Sequence, residues 1–241
     1  MRTSLEKAFV VLEVIASAPE PIALKEIAAR TGWNASTLSR VLADLAQLGY
    51  VRKQGYRAFA LGLGLVPLGQ KALSNFRLPR VANPLIHAEA TRLGVQAALA
   101  GLHRERLVYL YRSQAESAAS TLAQDVAFPL HASNIGVVLL AAAEPATAAR
   151  LLRASLASTR APRAAQQQAL RFLEQRLAQC RTDGYSFLHE RGVWNVCFPL
   201  RTPDGLFGVA LHGAGRPPHT RDALVLACAM LCRRIEGQLR E

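Results

Sequence analysis

A chain of 241 residues that is 51% apolar and 19% charged is too hydrophobic to stay disordered and long enough for one large domain or two ordinary ones. Its formal net charge of +12 points to a polyanionic partner, nucleic acid before an acidic membrane surface. The longest clean apolar run, Ala223 to Cys232, is half of the roughly 20 residues a membrane helix needs, and Glu6, Lys7 and Glu13 interrupt any leader, so a cytoplasmic chain with no membrane partner is expected.

Taken in order, Leu5, Ala8, Phe9, Leu12, Ile15 and Ala16 recur at helical spacing and predict an amphipathic helix that stops before Pro19-Glu20-Pro21. A second helix is predicted over Ala23 to Arg30, burying Leu24, Ile27 and Ala28. Gly32 stands where a C′ residue of positive φ belongs, and Asn34 or Ser36 can cap a third helix. The apolar stripe of that helix is Leu38, Val41, Leu42, Leu45 and Leu48, and Gly49 ends it. Two helices joined by a Gly-containing turn form a helix-turn-helix pattern. The opposite face of the third helix carries Ser36, Thr37, Ser39 and Arg40, small hydroxyls and one Arg that let a backbone approach a DNA groove. Extended segments follow on either side of Gln54-Gly55, with Arg52, Lys53 and Arg57 making a basic wing suited to phosphates or the minor groove. A protein-interaction module with a solvated hairpin is the competing interpretation of these three helices.

The residues Leu24-Lys25-Glu26-Ile27-Ala28-Ala29-Arg30-Thr31-Gly32, Ser36-Thr37-Leu38-Ser39-Arg40-Val41-Leu42, Leu48-Gly49-Tyr50-Val51 and Tyr56-Arg57-Ala58-Phe59-Ala60-Leu61-Gly62 resemble the DNA-binding domain of IclR-type transcriptional regulators. Departures are Ala35, where members often carry Lys or Arg, and Ser39, where a larger side chain is common.

Residues 62–76 are compatible with a short connecting helix. Gly62, Gly64 and Gly69 lack the spacing of a phosphate loop. Beyond Pro79 the pattern predicts a helix over Leu85 to Leu93, strands over Val95 to Leu102 and Arg106 to Arg112, and a loop or edge over 114–125. Next come a buried helix over Leu130 to Ala143, an exposed one over Thr147 to Leu156, and an amphipathic one over Gln166 to Arg181. Strands follow over Tyr185 to Glu190, Val193 to Leu200 and Leu206 to Leu211, then a final helix from Arg221 to Leu239. Cys228 and Cys232 share a face of that last helix as core residues; with Cys180 and Cys197 they make neither a CxxC pair nor a disulfide framework, and neither metal nor cofactor is expected. The order predicts an α+β fold with an antiparallel sheet covered by helices.

The resemblance extends here through Phe128-Pro129-Leu130-His131-Ala132-Ser133 with Gly136, then Gly184-Tyr185, Glu190, Gly192, Pro199 and Gly205. It implies a winged helix-turn-helix domain over 1–62, a linker helix over 63–78 and a GAF-like effector-binding and oligomerisation domain over 79–241. Partners would be double-stranded promoter DNA, a small-molecule effector such as an organic acid or aromatic metabolite, and a second copy in a homodimer, with dimers pairing into tetramers. Carried over by position, Asn134 and Ile135 would offer backbone contacts to the effector. Asn195 with Cys197, and Ala210 with His212, alternate onto one face of their strands, with Leu188 and Trp194 flanking. Asn134 stands where a small residue is usual, His212 where Ser is common, Leu188 in place of an acid and Val137 in place of Lys.

The alternative is a hydrolase-like enzyme using His131, Ser133 and His212 with Asp125 or Glu190. No nucleophile elbow or HExxH spacing accompanies these residues, and no catalytic residue is assigned.

Overall fold

The computed structural model describes residues 3–55, 57–103, 106–113, 130–157 and 162–240. They divide into two units, one up to Asn75 and one from Phe76 onward. Tyr56, Arg104, Glu105, Phe128, Pro129, the 114–125 segment and with it Asp125 lie outside the described residues.

In the first unit α1 (Ser4–Ala16) starts at a capping box, in which the Thr3 hydroxyl accepts from the Glu6 amide and the Glu6 carboxylate accepts from the Thr3 amide. Helix α2 (Leu24–Thr31) ends at Gly32, whose φ of 72° is the left-handed cap the turn requires. Asn34 caps α3 (Ala35–Gln47) by accepting from the Thr37 amide at 2.9 Å. Val11, Ile15, Ile27, Leu38, Leu42 and Leu45 close the core between the three helices. The buried face of α1 is thus Val11 and Ile15, whereas Leu5 (67% exposed) and Phe9 (55%) of the predicted stripe face outward, and so does Leu48. An unanticipated short strand β1 (Ile22–Ala23) joins β2 (Val51–Gln54) and β3 (Ala58–Leu61) in an antiparallel sheet of order β1-β3-β2, so Ala23 ends a strand instead of opening a helix. A Cβ on Gly62 or Gly64 would overlap the Gly49 carbonyl, which explains these glycines by close backbone approach. Helix α4 (Leu65–Asn75) buries none of its residues in this chain.

The second unit is a five-stranded antiparallel sheet of order β5-β4-β8-β7-β6, formed by β4 (Gln96–His103), β5 (Arg106–Arg112), β6 (Ser186–Glu190), β7 (Val193–Thr202) and β8 (Gly205–Ala214). One face packs on α5 (Arg77–Leu93), which begins earlier than the sequence suggested and contains Pro84, and on α9 (Arg221–Arg240). Ile86, Leu224, Cys228 and Ile235 meet Leu99, Trp194, Val196 and Leu211 there. The other face is covered by α6 (Asn134–Ala142), α7 (Pro145–Ala157) and α8 (Arg163–Asp183). Small residues on that face, Ala98, Ala100, Cys197 and Ala210, let α6 lie close to the strands. A Cβ on Gly208 would come 2.7 Å from the Ile135 side chain. Helix α7 is not the exposed helix expected, because Leu151, Leu152 and Leu156 are buried against this layer. The strands β7 and β8 extend beyond their predicted ends and pair out to Thr202 and Gly205, leaving a tight two-residue turn. The β6–β7 turn is Arg191-Gly192, with φ of 52° and 72°, the left-handed pair a two-residue hairpin needs.

Candidate DNA interface and effector pocket

Ser36, Ser39 and Arg40 are exposed on α3, and Thr37 is half-buried. The Ser36 hydroxyl donates to Asn34 Oδ1 at 3.0 Å, so Asn34 fixes both the helix start and the hydroxyl beside it. On the wing, Arg52 and Lys53 pair with Ala60 and Phe59 and, as neighbours in a strand, project to opposite faces. Ser39, Lys53 and Arg57 border one recess between α3 and the hairpin. Arg52 does not line it.

On the sheet, register brings the predicted effector residues into rows. Leu188, Asn195, His212 and Gln96 are successive cross-strand partners, and so are Ser186, Cys197, Ala210, Ala98 and Arg112. Trp194 does not join them: it lies one residue from Asn195, so it turns to the opposite face and is buried with α5 and α9. Asn134, 5% exposed, is a hub within the protein. Its Nδ2 donates to Asn195 Oδ1 at 2.8 Å, while its Oδ1 accepts from Ser186 Oγ at 2.6 Å and from Arg176 Nη2 at 2.6 Å. What Asn134 and Ile135 can still offer a ligand is the first turn of α6, whose amides have no intrahelical acceptor.

Burial, reinforced by the nearby Arg112 charge, pulls the His212 imidazole down to about 4, so the ring is neutral at pH 7. The Arg112 guanidinium lies 4.0 Å over the Tyr109 ring on the same face of the sheet. Burial also lowers the Arg176 guanidinium from its ordinary value, opposed by Glu190. Arg112 and Arg176 were missed in the sequence. Arg112 was hidden because a register irregularity between Leu99 and Ala100 puts it on the face of Tyr109 against strict alternation; Arg176 had no signal, since only the approach of α8 to Asn134 gives it a role.

Among the described residues the hydrolytic constellation is not assembled. The Nδ1 of His131 is 2.8 Å from Ser155 Oγ, burial lowers its pKa, and the Ser133 hydroxyl accepts from the Gly136 amide as the cap of α6. Among the described residues no cluster of His, Cys, Asp and Glu could hold a metal ion, and no helix is long and apolar enough to cross a membrane.

Residues 4–55 match the IclR helix-turn-helix domain, and residues 70–203 match the bacterial transcriptional regulator IclR C-terminal domain. The chain belongs to the IclR family. Among IclR relatives, the HTH-type transcriptional regulator KdgR of Dickeya chrysanthemi is 30% identical over 141 residues, 58% of this chain and 46% of that protein. The chain thus aligns with about half the length of this relative. An IclR family regulator from Brucella abortus has the same fold, with a TM-score of 0.82 at 24% identity, covering 99% of this chain and 93% of that one. An IclR homolog from Microbacterium hydrocarbonoxydans, solved in complex with 4-hydroxybenzoate, matches with a TM-score of 0.70 at 25% identity and 99% coverage of both chains. The IclR assignment makes the protein a member of a family of transcriptional regulators, and the hydrolase alternative has no support.

Proposed function

We propose that this regulator binds a promoter operator in the cytoplasm through Ser36, Thr37, Ser39 and Arg40 of α3, with Arg52, Lys53 and Arg57 of the wing on phosphates. The observation that carries this is the exposed Ser and Arg face of a helix held rigidly by its Asn34 cap, beside a basic hairpin. The working parts are residues 1–62 for DNA, 63–78 as linker and 79–241 for the effector and for oligomerisation.

The effector is a small organic acid, aromatic or aliphatic. It sits against Leu188, Asn195, Cys197, Ala210 and His212, with the first turn of α6 at Asn134 and Ile135 beside it. Neutral His212 can hydrogen-bond a carboxylate that Arg112 attracts, and the bound 4-hydroxybenzoate of the Microbacterium relative has that chemistry. The protein acts as a homodimer, with pairing into tetramers through the effector domain. Leu5 and Phe9 on α1 and Val66, Leu68 and Leu73 on α4 are exposed apolar side chains of the kind that a second copy covers. In a thermal-shift series, 4-hydroxybenzoate and related acids should raise Tm with concentration, and His212→Ala should reduce the shift. A shift that survives His212→Ala unchanged would move the effector elsewhere.

A further inference from the structure

The recess between α3 and the wing has a volume of about 620 Å³, within the range of pockets that hold small organic ligands. Leu42 and Ala46 of α3 and Phe59 of β3 supply its apolar floor, while Lys25, Lys53 and Arg57 stand at its rim. Among the described residues lining it none is acidic. The recess exists because α3 presents Ala43 and Ala46, three apart and so on one side of the helix, where longer side chains would have filled the space.

A DNA phosphodiester can pair with the rim but has no reason to enter the floor, where its oxygens would lose water without gaining partners. A ring or short hydrocarbon gains by burial there. We infer that the recess is a second small-molecule site, which takes an amphipathic organic anion with its apolar body on Leu42, Ala46 and Phe59 and its carboxylate among the three cations. Positive charge around an apolar concavity concentrates such anions, and the Phe59 ring suits an aromatic body. Because Ser39, Lys53 and Arg57 are also DNA contacts in the function proposed above, anion and operator exclude one another. That exclusion rests on the proposed function; the binding itself does not.

The test is calorimetric titration of the full chain with 1-naphthoate, and with 1-naphthalenemethanol as its uncharged counterpart, in a His212→Ala background that disables the sheet pocket. Ala46→Leu fills the floor, and Lys53→Gln removes a rim charge at an exposed position where folding is not threatened. Naphthoate should bind the His212→Ala chain, each groove substitution should weaken it about tenfold or more, and the alcohol should bind about tenfold more weakly than the acid. No binding at millimolar naphthoate, indifference to both groove substitutions, or equal affinity for acid and alcohol would each overturn the inference. At ten times its own Kd, naphthoate should also raise the operator Kd about tenfold. Operator binding that stays unchanged while naphthoate is bound would remove the ligand from the DNA contacts. A chain that binds naphthoate but no DNA would fail the proposed function and leave the site standing.

Discussion

His212 shows how one side chain links pocket chemistry to stability. Its imidazole titrates near 4 in the folded chain and near 6.5 when unfolded. Above 6.5 both states are neutral and pH has no effect through this group. Between 6.5 and 4 the unfolded chain takes up a proton that the folded one refuses, so stability falls as pH falls, by an amount on the order of 3 kcal/mol. His131, shifted the same way by burial, adds to this limb. In urea melts between pH 7 and pH 4, His212→Asn should flatten the loss relative to wild type; equal slopes would contradict the buried neutral ring. The face occupied by His212 was legible, because strand alternation alone groups Asn195, Cys197, Ala210 and His212. The same rule separates Trp194 from Asn195, and the structure enforces it. Asn134 was legible as a position but not as a hub, since the side chains that saturate it come from β6, β7 and α8, far away in sequence.

At the scale of elements, helices and strands followed from periodicity and turn residues: Gly32 ends α2, Asn34 caps α3, and Gly55 with φ of 64° lies in the wing turn. Which face of a helix is buried followed less well. Helix α1 carries two apolar stripes, and only its packing against α2 and α3 chooses Val11 and Ile15 over Leu5 and Phe9. Helix α7 looked exposed because its Arg and Ala residues dilute a stripe that α6 and the turn at Leu130–Ala132 nonetheless cover. The close seat of α6 depends on Gly136, where a Cβ would overlap the Leu130 carbonyl. Gly136→Ala should therefore destabilise the second unit by about 1–3 kcal/mol and weaken effector binding with it; an unchanged denaturant midpoint would show that α6 can move at no cost. On the wing, Arg52→Ala should weaken binding to specific and random DNA alike and reduce the salt slope by about one. An unchanged slope in an anisotropy titration would take Arg52 off the phosphate backbone.

For the whole molecule, no residue of α4 is buried, and an amphipathic helix with Val66, Leu68 and Leu73 exposed suits a partner that covers it. Sedimentation should show a dimer that Phe9→Glu together with Val66→Glu converts to monomers; an intact dimer would place the interface elsewhere. In the proposed dimer two α3 helices would meet half-sites about 34–36 Å apart, and an effector that favours one arrangement of that dimer over another would shift DNA affinity by its differential binding. Which side of α1 and α4 stays exposed could not be read from periodicity, which marks apolar faces without saying what covers them. The central claim, ligand-modulated sequence-specific DNA binding through α3, is tested most directly by anisotropy titration of a footprinted operator at fixed salt. Arg40→Ala should cost about 1–3 kcal/mol on that site and leave random DNA unaffected, and with the α3 recess filled by Ala46→Leu an organic acid that raises Tm should change operator affinity when His212 is present but not in His212→Ala. Operator affinity unaltered by Arg40→Ala, or an acid response surviving His212→Ala at full size in that background, would contradict the account.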